Sequence, residues 1–287
     1  MQTRIFDGRF TAQQIEESLT SRVARITGQR GHAPKLSTVI VGDDPASVAF
    51  IAIKEKRARS IGMEFVRKHY PESFDPTEVV KYIHTQNEDK TVDGIIVQLP
   101  LPTQFDRLLT LKAIHPYKDV DGLHPKNLGY LIEGKPFFNP PAVLSVKEVL
   151  SQMDIEVTGK HVVLVGSGLL VGKPLALFFV DEGATVSMCS VHTPDIAVFT
   201  READIIVAST GEADLINADM IKEGAVVIDF GGKKVGDELK GEFTQDVVSK
   251  AGVVTPVPGG VGPLVVSKLL ENTVLSAERS TFGNNDA

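Results

Sequence analysis

The sequence holds a single cysteine, Cys189, in 287 residues. That excludes an intrachain disulfide and a multi-cysteine zinc site, and it fits a reducing compartment. The seven histidines are scattered and form no His-Glu-x-x-His pair, so no metal is expected. No run approaches the roughly 18 apolar residues of a membrane span. The start, Met1 to Gly8, lacks the apolar stretch of a signal peptide. Bases are in deficit: 30 Lys and Arg stand against 37 Asp and Glu, a formal net charge of −7. That argues against nucleic acid or an anionic membrane as partner, although a local basic patch can still hold a small anion. Together these absences describe a cytoplasmic, enzyme-like chain.

What is present is an apolar fraction of 42%, enough for a sizeable core. Short apolar runs alternate with helical patterns from end to end, which predicts a mainly parallel α/β architecture. Strands are expected near Ser37–Val41, Phe65–His69, Gly94–Leu99, His161–Val165, Thr185–Cys189, Ile205–Ala208, Val226–Asp229 and Val253–Thr255. Helices are expected between them, with a connecting helix at Ala142–Met153 and a last one at Pro263–Ala277, followed by a frayed polar tail from Ser280. The Pro/Gly-rich passage from Gly134 to Pro141 marks a domain change. The expected division is 1–141, rejoined by 263–287, against 142–262.

Two glycine-rich strand-to-helix turns carry the strongest local signals. Thr255 to Pro263 has three glycines in four residues, Gly259, Gly260 and Gly262, and then a proline suited to the first turn of a helix. Glycines there let the backbone come close to a ligand. The second turn places Gly166, Gly168 and Gly172 after the strand His161–Val165, one residue longer than the usual dinucleotide fingerprint. Such a turn aims N–H groups and a helix N-terminus at a diphosphate, or is a plain tight turn. It is not a P-loop, since Ser167 and Pro174 stand where that motif needs Gly and Ser or Thr. No acid follows the next strand, in Ser187 to Thr193, where a carboxylate would read the ribose of NAD. That leans toward NADP over NAD, with Ser167, Ser190 and His192 as donors.

The first half offers a second constellation. Asp44 can cap a helix opened by Pro45, and on it Phe50 and Lys54 share a face. Either they are an aromatic plate and an ammonium for a flat polar heterocycle, or Phe50 is core and Lys54 begins the solvated run Lys54 to Arg57. Gln98 ends a buried strand before Pro100 and Pro102, at the strand end where ligands of open α/β sheets sit. It is a ligand group or a satisfied loop residue. Asp119-Val120-Asp121-Gly122 fails the calcium-loop pattern, leaving a turn or an anionic acceptor for ligand N–H groups.

These pieces together resemble the bifunctional methylenetetrahydrofolate dehydrogenase/methenyltetrahydrofolate cyclohydrolase (FolD) family, over nearly the whole chain. Ile5 to Gly8, Val41 to Ser47, Val97 to Pro102, Asp119 to Pro125, Thr255 to Pro263 and Glu271 to Thr273 carry the likeness. The resemblance implies an N-terminal α/β catalytic domain, a Rossmann-like dinucleotide-binding domain, and a C-terminal helix packing back on the first. It implies NADP, a homodimer, and oxidation of 5,10-methylenetetrahydrofolate followed by hydrolysis to 10-formyltetrahydrofolate, a one-carbon donor to purine biosynthesis. The matching catalytic residues are Lys54, Gln98 and Asp121. The folate is expected against Phe50, Lys54, Gln98, Leu99, Pro100, Asp121, Gly259, Gly260 and Pro263. The cofactor is expected at Gly166, Ser167, Gly168, Leu169, Val171, Gly172, Ser190, His192, Thr210, Gly211, Gly231 and Gly232.

The chain departs from the family pattern at several places. Phe50 replaces a tyrosine, Gly166-Ser167-Gly168 replaces Gly-Arg-Ser, and Val265 replaces a threonine. The loss of the tyrosine hydroxyl motivates an alternative: a dehydrogenase with weak or lost cyclohydrolase activity.

Overall fold

The computed structural model describes residues 2–236 and 238–283. In chain order the first half gives β1 (Arg4–Ile5), α1 (Gly8–Arg30), β2 (Lys35–Val41), α2 (Pro45–Ser60), β3 (Glu64–Tyr70), α3 (Pro76–Glu88), β4 (Gly94–Val97), α4 (Arg107–Lys112), α5 (Pro125–Ile132) and α6 (Pro141–Gln152). The second gives β5 (His161–Val165), α7 (Gly172–Asp181), β6 (Thr185–Cys189), α8 (Ala197–Thr200), β7 (Ile205–Ala208), β8 (Val226–Asp229), β9 (Lys233–Val235), β10 (Glu238–Lys240), β11 (Val253–Val254) and α9 (Val261–Phe282). The chain divides into two compact units: 13–141 with the segment from 266 on, and 1–12 with 142–265.

The first of these units is built on three parallel strands in the order β3-β2-β4. β4 is buried throughout and β2 everywhere but Lys35, as expected of apolar strands covered on both faces. Three of the helices start on the same device. Asp44, Asp75 and Asp106 each accept a hydrogen bond from a first-turn N–H, and proline follows two of them. The core joins Leu36, Ile40, Ile51, Phe65 and Ile96 to Leu19, Val23 and Ile26 of α1 and to Val266, Leu270, Val274 and Ala277 of α9. Arg22 of α1 reaches Glu278 of α9 through Nε and Nη2 at 3.1 and 2.7 Å, fixing the two helices further. The last helix therefore packs on this unit, as expected.

The second unit is built on six parallel strands in the order β1-β11-β8-β7-β5-β6. The start of the chain, grouped above with the first domain, supplies the edge strand of this sheet. Ile5 registers with Val254, and Phe6 N donates to the Val254 carbonyl at 2.9 Å. Directly after β1, Gly8 lies against the glycine-rich loop that follows β11. A Cβ on Gly8 would stand 1.7 Å from the Gly260 carbonyl oxygen. These glycines are needed first for the chain to pass itself.

Besides β1, four elements differ from expectation. α9 begins at Val261, so Pro263 lies inside the first turn, where N–H groups have no intrahelical partner to lose. It continues to Phe282, so Ser280 and Thr281 are helical rather than frayed; residues 284–287 lie outside the described ones. α5 and the hairpin β9–β10 were not expected. α5 starts on His124, an unusual cap whose Nδ1 accepts from Lys126 N at 3.0 Å. The hairpin strands are short, charged and largely exposed.

Candidate active site

β2 lies between β3 and β4, and the order of the strands reverses there. Crevices at such switch points, beyond the carboxyl ends of the strands, are where open α/β sheets bind ligands. β2 leads out to Asp44, which caps α2; β4 leads out to Gln98. On α2 the buried stripe is Ser47, Ile51, Lys54 and Ala58, at helical spacing. Lys54 therefore belongs to the core-facing stripe and not to the solvated run that follows it. Only 5% of it is exposed.

The Lys54 ammonium donates to Gln98 Oε1 at 3.1 Å and stands 4.7 Å from the centre of the Phe50 ring. The amide end of Gln98 is tied as well, donating to the Leu99 carbonyl at 2.7 Å, so the oxygen is held toward the lysine. The Leu99–Pro100 peptide that follows is cis. Burial pushes the lysine's pKa down, and the negative charge of Asp121 opposes this. Burial pushes Asp121 up in turn, and the charge of Lys54 opposes that. The two side chains thus act on one another electrostatically. Asp121 accepts no hydrogen bond among the described residues, which leaves its oxygens for a ligand.

The segment carrying Asp121 is held from three sides. Ile95 N donates to the Lys118 carbonyl at 2.7 Å, and Asn272 Nδ2 of α9 donates to the carbonyls of Val120 and Asn139 at 2.8 and 2.9 Å. Asp119 is buried and accepts from His124 N and Asn127 Nδ2 at 2.7 and 2.8 Å. Burial still pushes its pKa up to about 6. Asp119 and Asn272 are supports that sequence reasoning passed over as sites. Their signal was adjacency to Asp121 in one case and the Glu271-Asn272-Thr273 string in the other.

In the other unit, the turn after β5 sits where strand order reverses between β5 and β7. Gly166 has φ +119°, and a Cβ on Gly172 would meet the Gly166 carbonyl oxygen at 2.0 Å. Ser167 and Gly168 are exposed, and a Cβ on Gly168 would meet nothing within 4 Å. The turn thus folds tightly on its first and last glycines and stays open between them, at the N-terminus of the ten-residue α7. That fits a diphosphate. Leu169 and Val171 are half-buried in the same turn, and His192 is exposed after β6. Ser190 Oγ accepts from His192 N at 3.2 Å, which leaves its own O–H to donate.

Four of the expected cofactor residues prove to have internal work. The N–H groups of Thr210 and Gly211 donate to the Glu242 carboxylate at 2.7 to 2.9 Å, so they do not point at a ligand. Glu242 is 1% exposed. Gly231 N donates to Asp229 Oδ1 at 2.7 Å, and a Cβ on Gly231 would meet Glu242 Cγ at 2.5 Å. A Cβ on Gly232 would touch Leu239 of the hairpin at 3.6 Å. Asp229, buried beside Glu242, is pushed up to about 6 despite backbone donors from Gly231, Glu242 and Phe243. Gly259, Gly260 and Pro263 lie in this unit, in and just after the loop following β11. Gly260 N donates to the Pro256 carbonyl at 2.7 Å.

Two family models divide the chain between them. Residues 6–121 match the tetrahydrofolate dehydrogenase/cyclohydrolase catalytic domain, and residues 140–281 match the NAD(P)-binding domain of the same enzymes. The chain belongs to the tetrahydrofolate dehydrogenase/cyclohydrolase family. It is 40% identical over 277 residues to the bifunctional protein FolD of Nitratiruptor sp., covering 96% of this chain and 98% of that one. The bifunctional FolD of Campylobacter jejuni superposes with a TM-score of 0.93 at 37% identity, covering 96% and 99% of the two chains. FolD of Trypanosoma brucei, solved with NADP and an inhibitor, gives 0.93 at 36% identity, covering 98% and 99%.

Within this family the pattern at Phe50 has a measurable consequence. The ring already faces the Lys54 ammonium. Phe50→Tyr adds one hydroxyl beside it, and a single hydrogen bond contributes about 0.5–1.5 kcal/mol. Cyclohydrolase turnover is expected to rise by up to about tenfold, the rate equivalent of that energy. Stopped assays of methenyltetrahydrofolate hydrolysis read this directly, and an unchanged rate would show that Phe50 does not limit the step.

Proposed function

We propose that the protein oxidises 5,10-methylenetetrahydrofolate to the 5,10-methenyl form with NADP and hydrolyses that product to 10-formyltetrahydrofolate. The observation that carries this is the buried Lys54, bonded to Gln98, facing Phe50 and electrostatically coupled to Asp121. A monofunctional dehydrogenase is not favoured, because relatives near 40% identity over almost the whole chain are bifunctional.

The roles of the side chains follow from their chemistry. Asp121, with free acceptor oxygens, takes the N–H and amino group of the pterin as a charge-assisted pair. Phe50 stacks on the flat ring. Leu99 and Pro100 border Gln98 in the same loop, and Gly259, Gly260 and Pro263 are assigned to the substrate as well. NADP supplies the hydride acceptor when bound. The open turn at Ser167 and Gly168, with Leu169, Val171, Ser190 and His192, receives the dinucleotide. No carboxylate stands in Ser190 to Thr193, directly after β6, to repel a 2′-phosphate.

For hydrolysis, burial makes the charged form of Lys54 costly. The neutral amine takes a proton from the water whose oxygen bonds to the methenyl carbon. The bond from that carbon to N5 then breaks, its electron pair stays on N5, and the lysine returns a proton there. The hydroxyl proton goes to solvent as the formyl group forms. Gln98 Oε1 holds the amine in position throughout. The protein is assigned to the cytoplasm as a homodimer.

Product analysis tests this reading. Purified protein is given 5,10-methylenetetrahydrofolate with NADP, with NAD in a parallel arm, against a no-enzyme control. Reduced cofactor with 10-formyl product above control is expected. Methenyl product accumulating without faster hydrolysis would restore the monofunctional alternative.

A further inference from the structure

A cavity of about 1030 Å³ lies in the unit that carries Lys54, at the opposite end of its sheet. β4 runs out to Gln98 at one end; at the other, Asp93 just before it borders the cavity. Four Lys and Arg side chains line the wall, Arg30, Lys90, Lys118 and Arg279, against Asp93 as the one acid. On a chain of net charge −7 that is a marked local excess of positive charge.

Two of the four cations are already committed. Arg30 grips Asp93 through Nη1 and Nη2 at 2.8 and 2.5 Å. Lys118 Nζ donates to the carbonyls of Gln86, Asn87 and Asp89 at 2.7 to 3.0 Å, closing the end of α3. Lys90 and Arg279 have no acidic partner among the described residues. Arg279 lies over the rings of Phe137 and Phe138, 4.3 and 5.2 Å from their centres, and donates to the Phe137 carbonyl at 2.9 Å. A guanidinium has five N–H donors, so most of its capacity is unused. Partial burial without an anion pulls its pKa down. The nearby His115 is pulled down by burial and by the cations Lys118 and Lys126, consistent with a positive field.

The same wall offers a surface for a flat ring. Tyr117 is 49% exposed and meets Phe137 edge to face at 4.4 Å, with the His115 ring 5.5 Å away. The volume is at the upper end for a small-molecule site. We propose that this cavity binds a phosphorylated planar-ring compound of nucleotide size, with its phosphates on Arg279 and Lys90 and its ring against Tyr117. None of these residues belongs to the proposed folate or NADP sites, so the two readings stand or fall separately.

The test is calorimetric titration of ATP into the full-length protein held at saturating NADP, at low salt. Tripolyphosphate and adenosine serve as competitors that carry only the phosphates or only the ring. Saturable binding at one site is expected, displaced by tripolyphosphate. Lys90→Glu and Arg279→Met should each weaken it about tenfold or more, as for loss of a charge-assisted contact. Lys90 is exposed, so its variant folds even if the Arg279 change disturbs the aromatic stack. ATP should also raise the pKa of His115, followed by NMR of the ring. Absence of saturable ATP binding, or binding that both variants leave unchanged, would overturn the proposal. Methylenetetrahydrofolate turnover by the same samples reports the proposed activity independently.

Discussion

Lys54→Ala is expected to bring methenyltetrahydrofolate hydrolysis down to the uncatalysed background while folate derivatives still bind. General acid–base catalysis by a positioned side chain contributes about 10²–10⁴-fold, and that is the loss to look for. The lysine stands on the core-facing stripe of α2 beside Ile51 and Ala58, so alanine also removes packing. Lys54→Met fills the space with an unbranched apolar chain and separates the two effects. Both variants should be inert in single-turnover hydrolysis, and the methionine variant should bind folate better than the alanine one. Dehydrogenase turnover should fall less, because the hydride goes to the cofactor and not through the amine. A methionine variant that hydrolyses normally would remove Lys54 from the proton path.

The strands were readable because their chemistry is one-sided. His161 to Val165 and Gly94 to Val97 are short apolar runs, buried but for His161; the first is an interior parallel strand, and the second, though it ends its three-stranded order, is covered all the same. The Asp-Pro pair at 44–45 announced a helix start for a local reason that needs no tertiary information, and the structure shows the same device at 75–76. β1 could not be seen the same way. Two exposed residues carry no periodicity, and the strand exists because the far edge of β11 accepts it. Lys54 was ambiguous because Lys54-Glu55-Lys56-Arg57 reads as a solvated face until Ile51 and Ala58 show which stripe is buried.

The glycines were readable as special, and the structure adds a reason that lies within the chain. Gly260 and Gly172 first allow backbone to pass backbone, and the clearest open approach for a ligand is at Gly168. Thr210 and Gly211 were expected to face the cofactor. Their partner, Glu242, lies some thirty residues on (|i−j| of 32 and 31), and nothing local signals that a buried carboxylate will fold back onto their N–H groups.

Asp121→Asn tests the coupling at the centre of the site, and the direction of its effect on pH is fixed by the causes of the shifts. Lys54 is lowered chiefly by burial, and the charge of Asp121 pulls it back toward the ordinary value. Removing that charge takes away the opposing influence, so the lysine becomes easier to deprotonate. If the neutral amine is the base, hydrolysis rises as pH passes upward through the lysine's pKa. That rising limb should therefore move to lower pH in the asparagine variant. Folate affinity should fall by about tenfold to a hundredfold, since a hydrogen bond to a charged acceptor contributes about 1.5–3 kcal/mol. The pH profile of kcat/KM, read beside a direct binding titration, separates the two. A limb that stays in place while affinity drops would leave Asp121 as a substrate anchor with no part in setting the lysine's charge.

Stability supplies an independent check with its own sign. A lysine whose pKa is depressed by folding gives up its proton before the unfolded chain does. The cost is present in full below the folded pKa and disappears as pH rises to the ordinary lysine range near 10.5. At neutral pH, Lys54→Met should relieve it. Denaturant unfolding is thus expected to show Lys54→Met more stable than the parent at neutral pH, by a margin that shrinks as pH rises toward the ordinary lysine range. An inert Lys54→Met enzyme that is more stable than its parent would mean that the lysine is kept buried for what it does to water, against what the fold alone would favour.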